Sequence, residues 1–150
     1  LPTPGHFMWL RPHPGNPLRD DNAFAATIDH DHATQRSTQL DPGALDHPDL
    51  RFLLQLRDPT IQAIWRTHRG SAELLCVHSQ DGTWAEVDTT ERDGRHTVTQ
   101  GGPRHIWDQV EATAAHWSHL GHPRADRFGL TATTDQHWFW LDTPEFPAFD

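Results

Sequence analysis

Hydrophobic and polar positions along this chain alternate mostly over short distances, which predicts strands joined by tight turns. The apolar segments 72–78 and 83–87 flank an Asp-Gly turn at residues 80–82, a strong signal for a β-hairpin. Further strands are predicted at residues 50–56, 96–99, 128–132 and 138–141, the last two joined by a polar turn at residues 134–136. Together these segments predict an antiparallel sheet.

One long helix is predicted over about residues 103–120. Gly102 suits its cap, Pro103 suits its first position, and Gly121 suits its end. One face of it carries a mostly apolar stripe, at Ile106, Val110, Thr113, Trp117 and Leu120. This helix is therefore expected to bury an aromatic-rich face against the sheet.

Two shorter helical segments are also predicted. Residues 41–46 form one helical turn with Asp41 as the cap, and residues 61–68 carry an apolar helical spacing that ends at Gly70. The predicted fold class is α+β, an antiparallel sheet built from hairpins with one long helix (about residues 103–120) packed on it.

Proline content divides the chain into two parts. Residues 1–22 are rich in proline and are predicted to be a linker, whereas residues 23–150 are predicted to form a single α+β accessory domain. A short strand is expected at residues 24–28. The chain begins with Leu1 instead of Met, which favours a processed or excised fragment.

Composition limits the class of partner. The net charge is -9 and all 12 basic residues are arginine, so nucleic acid is not expected to bind, because its phosphates need a basic face. The single cysteine, Cys76, lies in an apolar run and is expected to be a buried thiol in a reducing cytoplasm. No apolar segment has the length of a membrane helix, so no membrane partner is expected.

Motifs for catalysis or cofactor binding are missing from the sequence. Gly101 and Gly102 precede a helix, but two glycines before a proline are better explained as a turn and cap than as a phosphate-binding loop. Asp20 and Asp21 lie in the linker and are interpreted as solvated. No catalytic residue and no cofactor site are therefore assigned within this chain.

Histidines provide the candidates for a metal site. His116, His119 and His122 follow one another at three-residue spacing, which is compatible with zinc or nickel ligands. His122 lies beyond the expected helix end, so the preferred interpretation is structural or solvated histidines, with a metal site as the alternative. The Asp-His segment 29–32 is interpreted in the same way, as a solvated loop.

Tryptophans provide the candidates for peptide contact. The chain has seven of them, and four recur at helix or strand spacings in its last third: Trp107, Trp117, Trp138 and Trp140. Their spacing favours the core, but exposed indoles offer flat stacking surfaces to a peptide. One or two of the four are expected to reach a partner.

The last third of the chain also carries a resemblance to a known family. Residues 101–108, 121–123, 127–131 and 138–142 resemble the C-terminal region of protein-L-isoaspartate O-methyltransferase-like enzymes that modify lanthipeptides and graspetides, two classes of ribosomally made peptide. Weaker similarity covers residues 7–11 and 50–87. At Ala132 and at residues 134–136 the chain departs from the family, which favours Val and a tighter Asp-Gly turn there.

The resemblance implies a function for the parent enzyme. Such enzymes transfer a methyl group from S-adenosylmethionine (SAM) to an aspartate side chain of the modified peptide, and the ester then closes to an aspartimide. Their cofactor and catalytic residues lie in the preceding domain, so none is carried over to this chain. The implied partners are that upstream catalytic domain and the modified precursor peptide. The alternatives are a structural or oligomerisation module and a histidine-based metal-binding domain.

Overall fold

The computed structural model describes residues 32–149. The linker predicted at residues 1–22, the strand predicted at 24–28 and most of the Asp-His segment 29–32 lie outside the described residues. Of that segment only His32 is described, and it is exposed.

The described chain contains two α-helices, seven strands and two short 3₁₀ helices. The α-helices are α1 (Pro48–Arg57) and α2 (Ile106–His119), and the 3₁₀ helices are Pro42–Asp46 and Ala125–Arg127. The strands are β1 (Thr34–Thr38), β2 (Ile61–Arg69), β3 (Ala72–Ser79), β4 (Trp84–Asp88), β5 (His96–Gly101), β6 (Phe128–Ala132) and β7 (His137–Leu141).

The strands form two antiparallel sheets. The larger sheet has the order β1-β5-β4-β3-β2, and β6 pairs only with β7 as a separate hairpin. The predicted hairpin at residues 72–87 is confirmed as β3 and β4. The predicted pair at 128–141 is confirmed as β6 and β7, although it does not join the larger sheet.

The main core lies between one face of the larger sheet, called the inner face, and the two helices. Leu75, Val77 and Val87 project from the inner face into the cluster that contains Leu53 and Trp107. Arg36 of β1 also donates to Asp108 and Glu111 of α2, at 2.5 and 2.7 Å. An apolar core and an ion-pair network therefore both fasten α2 to the sheet.

Residues 50–56 were predicted as a buried strand, and this is wrong: they lie in α1. Pro48 occupies the first turn with Asp49, Arg57 occupies the last turn, and leucine favours helix over strand. Almost every side chain from Leu50 to Leu56 is buried, and α1 also contacts the hairpin of β6 and β7, where the rings of Phe52 and Phe128 lie 6.0 Å apart. A segment buried on all sides has no period that distinguishes helix from strand.

Residues 61–68 were predicted as a helix, and this is wrong as well: they form β2. A register shift between Ile61 and Ala63 puts Ile61 and Ile64, three residues apart, into the main core cluster, while Trp65 is buried in a second apolar cluster. The bulge therefore replaces simple alternation with a spacing that resembles a helix. Gly70, taken as a helix end, is a hairpin turn residue with a φ of 63°.

A helix is present within the predicted range, as α2, but it begins at Ile106 and not near residue 103. Its cap residue is His105 instead of Gly102, because Gly102 has a φ of 91° and turns the chain before the helix begins. The 3₁₀ turn at Pro42–Asp46 is confirmed, and the side chain of Asp41 accepts a hydrogen bond from the Gly43 amide at 2.8 Å. The fold is a mixture of α and β with antiparallel sheets, and residues 32–149 hold two α-helices where one long helix was expected.

The other face of the larger sheet, called the outer face, carries a small apolar cluster. It consists of Ala63, Trp65, Leu74 and Cys76, all from β2 and β3. Cys76 is 2 % exposed, so the predicted burial of its thiol is confirmed. Within residues 32–149 no helix has the length and apolar character needed to cross a bilayer.

Candidate functional site

The hairpin of β6 and β7 has two chemically different faces. Phe128 pairs with Leu141 and Leu130 pairs with Phe139, and this face contacts the core. The opposite face carries Trp138 and Trp140, and Trp138 pairs with Thr131 across the hairpin. Because side chains alternate along a strand, the two indoles share the face that points away from the core.

Glycine makes room for one of these indoles. Trp140 lies directly across from Gly129, and a Cβ atom on Gly129 would lie 2.2 Å from the Trp140 ring. No side chain fits there without displacing the indole, so the ring packs directly against the β6 backbone at Gly129.

Both indole N–H groups are bound within the hairpin region. Trp140 Nε1 donates to Thr131 Oγ1 at 2.9 Å, and Trp138 Nε1 donates to the Pro144 carbonyl at 3.3 Å. Both side chains stay partly exposed. This face, Trp138 with Trp140, is called the indole face, and it offers ring surface for stacking and not hydrogen-bond donors.

The other two tryptophan candidates belong to the core. Trp107 is 0 % exposed and its Nε1 donates to Thr38 Oγ1 at 3.0 Å, while Trp117 is 8 % exposed and donates to the Pro123 carbonyl at 2.9 Å. Neither ring is accessible to a peptide. The structure therefore divides the four candidates into a buried pair and the indole face.

A shallow groove of about 410 Å³ lies beside the hairpin, next to the end of α2. It is lined in part by His119, Phe146 and the Arg127–Asp142 ion pair, and Phe146 is 52 % exposed. Arg127 donates to Asp142 through both Nε and Nη2, at 2.8 and 2.6 Å, which lowers the pKa of the Asp142 carboxyl. The groove combines exposed apolar surface with charges that neutralise each other.

The three histidine candidates do not converge. His116 lies 2.5 Å through Nε2 from the Ala148 carbonyl, His122 packs edge-on against Trp117 at 4.6 Å between ring centroids, and His119 is exposed. In residues 32–149 no group of three or more His, Cys, Asp or Glu side chains is arranged to hold a metal ion.

A polar cluster at one end of the sheet surrounds Arg104. Its Nε donates to Asp81 Oδ2 and its Nη1 to Asp58 Oδ2, both at 2.8 Å. Its Nη2 donates to Ser79 Oγ at 2.8 Å and to Thr60 Oγ1 at 3.2 Å. With a longer contact to Gln109 at 3.4 Å, all five guanidinium N–H groups are used, so the cluster ties three loops together and leaves no donor for a ligand.

Arg104 also sets the ionisation of its partner. Its hydrogen bond to Asp81 lowers the pKa of that carboxyl well below the ordinary value of 3.8, and the same bond raises the pKa of Arg104. As pH falls, the unfolded chain therefore binds a proton at Asp81 before the folded chain does.

Acid titration is expected to reveal this linkage. The stability from ionised Asp81 is complete well above pH 3.8 and is lost as pH falls from there towards the lower folded pKa. Urea unfolding of the wild type and of Asp81→Asn between about pH 2 and pH 7 is expected to give a difference in unfolding free energy that is constant near neutrality and shrinks below about pH 4. A difference that stays constant down to pH 2 would contradict the assignment.

Sequence reasoning missed the Arg104 cluster. Its members come from residues 58–60, 79–81 and 104, which meet only through the tertiary fold, and no local motif marks them. The strand predicted at residues 128–132 does place Gly129 and Thr131 on one face, because side chains alternate along a strand. It did not indicate that Gly129 makes room for an indole.

Comparison of the chain with protein-family models, with curated proteins and with solved structures finds no match.

Proposed function

We propose that this chain is a C-terminal accessory domain of a SAM-dependent, protein-isoaspartate-like O-methyltransferase. The parent enzyme methylates an aspartate side chain of a modified ribosomal peptide, and the ester leads to an aspartimide. In this proposal SAM and the catalytic residues belong to the upstream domain. The accessory domain helps to hold the modified precursor peptide or packs against the catalytic domain, in a cytoplasmic enzyme.

The observation that carries the proposal is the indole face. Trp138 and Trp140 are partly exposed, whereas Trp107 and Trp117 are buried in the core. Indoles displayed on a β-hairpin are typical anchors for a peptide, because they bury a large area with little loss of side-chain entropy. They also lie in the part of the chain that resembles the methyltransferase family.

A structural or oligomerisation role is the alternative, and Phe146 is the observation that favours it. Its ring is 52 % exposed beside the groove at the end of α2. An exposed apolar ring next to partly exposed indoles also suits another protein surface, either the catalytic domain or a second copy. A peptide titration separates this alternative from peptide recognition.

Titration with a ring-bearing precursor peptide and its linear form, followed by fluorescence anisotropy of the labelled peptide, tests the proposal. Trp138→Ala and Trp140→Ala are each expected to weaken binding of the ring-bearing form by about tenfold, because each removes a stacking surface. Trp138→Phe keeps an aromatic ring and is the matched control, with a smaller loss expected. Near-UV circular dichroism verifies that the hairpin still folds.

Methylation by the full-length enzyme provides the second readout. The indole variants are expected to raise KM for the ring-bearing peptide while SAM binding stays unchanged. Equal peptide binding and equal kcat/KM for wild type and both alanine variants would reject peptide recognition by the indole face. If Phe146→Ala alone altered the oligomeric state in sedimentation, the structural alternative would replace it.

A further inference from the structure

Two arginines stand directly opposite each other at the turn between β4 and β5. The Arg92 amide donates to the Arg95 carbonyl at 2.8 Å, and the Arg95 amide donates to the Arg92 carbonyl at 3.0 Å. Asp93 and Gly94 between them have φ values of 54° and 75°, which is the signature of a type I′ turn. This tight turn fixes the two backbones, so the two side chains leave the same side of the ribbon.

The side chains of these two arginines have no ionic, hydrogen-bonding or ring partner in residues 32–149. Six other arginines of that region form ion pairs, namely Arg36, Arg66, Arg69, Arg104, Arg124 and Arg127. Arg51 donates to the Leu45 carbonyl, and Arg57 lies over the ring of Phe149. Like charges directly opposite in an antiparallel pair are destabilising, so Arg92 and Arg95 carry a cost that an anion would offset.

Both arginines line a groove of about 290 Å³ on the outer face of the sheet. Thr97 and Thr99 of β5 supply hydroxyl groups to its wall, and Ala72 and Leu74 of β3 supply apolar surface. The groove is thus cationic at one end, with polar and apolar surface along the strands. Such a lining suits a peptide that carries both carboxylates and an apolar side chain.

The same groove argues against a polyanion. Glu86 and Asp88 also line it, and Glu86 is only 6 % exposed and is paired with Arg69 at 2.9 Å. Consecutive phosphates would meet these carboxylates, and the net charge of -9 repels them at longer range. A peptide with one or two carboxylates at the turn meets less of that repulsion than a run of phosphates does.

We propose that Arg92 and Arg95 form a carboxylate clamp that binds an acidic peptide segment in this groove. Guanidinium groups bind carboxylates through two parallel hydrogen bonds, so two arginines on one rigid turn recognise one or two acidic side chains. The inference extends the proposed function, since an aspartate-bearing peptide is the substrate class named there. It rests on a different surface, because the indole face lies on the hairpin that packs against α1.

A direct binding measurement on the full chain tests the clamp. The probe is a fluorescein-labelled Gly-Ser-Asp-Leu-Asp-Ser-Gly peptide, and its counterpart has Asn in place of both Asp residues. The wild type is expected to bind the acidic probe at least about tenfold more tightly than the Asn probe, and less tightly as salt screens the charges. Equal binding of the two probes, or no binding of the acidic one, would overturn the proposal.

Charge-reversal variants locate the site. Arg92→Glu and Arg95→Glu are each expected to weaken binding of the acidic probe by about tenfold. Arg124→Glu changes the net charge equally, lies away from the groove and has a side chain that is 77 % exposed, so it is expected to bind almost as the wild type does. An equal loss in Arg124→Glu would show a non-specific charge effect and reject the clamp.

Three further measurements keep the result unambiguous. The neutral variants Arg92→Gln and Arg95→Gln are expected to bind the acidic probe several-fold more weakly than the wild type, with unchanged circular dichroism. Trp138→Ala is expected to bind this probe normally, so failure of the clamp and failure of the indole face are distinguishable. A single-stranded oligonucleotide serves as a competing ligand in the same assay. If it bound at the two arginines more tightly than the acidic probe does, the ligand would be nucleic acid and the proposal would be overturned.

Discussion

An Arg104→Met variant is expected to lose about 3 kcal/mol of unfolding free energy, because it leaves a buried carboxylate without its cation. Asp58 is 5 % exposed and lies 2.8 Å from Arg104 Nη1. The substitution also removes the hydrogen bonds that the guanidinium donates to Ser79 and Thr60. Chemical denaturation monitored by tryptophan fluorescence measures the loss.

Two further variants show whether the loss comes from the buried charge. Arg124→Met, which removes a pair with side chains 77 % and 66 % exposed, is expected to change stability by less than about 0.5 kcal/mol. The double variant Arg104→Met/Asp58→Asn is expected to be more stable than Arg104→Met alone, because the unpaired carboxylate is gone. If Arg104→Met were as stable as the wild type, the cluster would not hold the loops together.

A Trp107→Ala variant is expected to cost about 4 kcal/mol, the range for emptying a fully buried aromatic site. The Trp107 ring is 0 % exposed, and its N–H reaches Thr38 Oγ1, which in turn donates to Glu111 at 2.6 Å. Removal of the indole therefore opens a cavity and breaks a link between β1 and α2. Thermal unfolding and urea titration both measure the effect.

The matched comparison for this prediction is Trp138→Ala on the indole face. That ring is partly exposed and outside the core, so its loss is expected to cost about 1 kcal/mol or less. The expected result is a large loss of stability in Trp107→Ala and a small loss in Trp138→Ala, together with weaker peptide binding in Trp138→Ala. This result would show that Trp107 stabilises the core and that Trp138 binds the peptide. Similar stability losses for the two variants would contradict that division.

These predictions give the two faces of the molecule different roles. The indole face lies on the helix side of the larger sheet, on the β6–β7 hairpin, whereas the arginine pair lines a groove on the outer face. A peptide that engages both surfaces would have to pass around an edge of the sheet. Binding measured separately at each surface therefore decides whether one segment or two are recognised.

Turn and capping residues in the sequence predicted a substantial part of the fold. The Asp-Gly turn predicted the β3–β4 hairpin, Asp41 predicted the 3₁₀ turn, and Gly121, whose φ is 88°, predicted the end of α2. Such signals act within a few residues, because they depend on backbone angles and on hydrogen bonds to neighbouring amides. They do not depend on what packs against the element.

Local signals failed at α1, which was predicted as a strand, and at β2, which was predicted as a helix. Residues 50–56 are buried around most of the helix, which erases the helical period, and the bulge between Ile61 and Ala63 erases the strand period. The same limit applies to the tryptophans. Their spacing placed them on helix or strand faces, but only the packing of the helices showed which of those faces is buried.

The sequence by itself determined the acidic balance, the single buried thiol, the antiparallel hairpins and a helix that ends before Gly121. Only the tertiary structure decided that the Arg104 cluster unites three loops and that Trp138 and Trp140 face outward. It also decided that Arg92 and Arg95 stand opposite each other with no acidic partner among residues 32–149. The physical reason is range. Turns and caps are set by neighbouring residues, whereas burial and the pairing of charges depend on residues that are distant in the chain and meet only in the folded state.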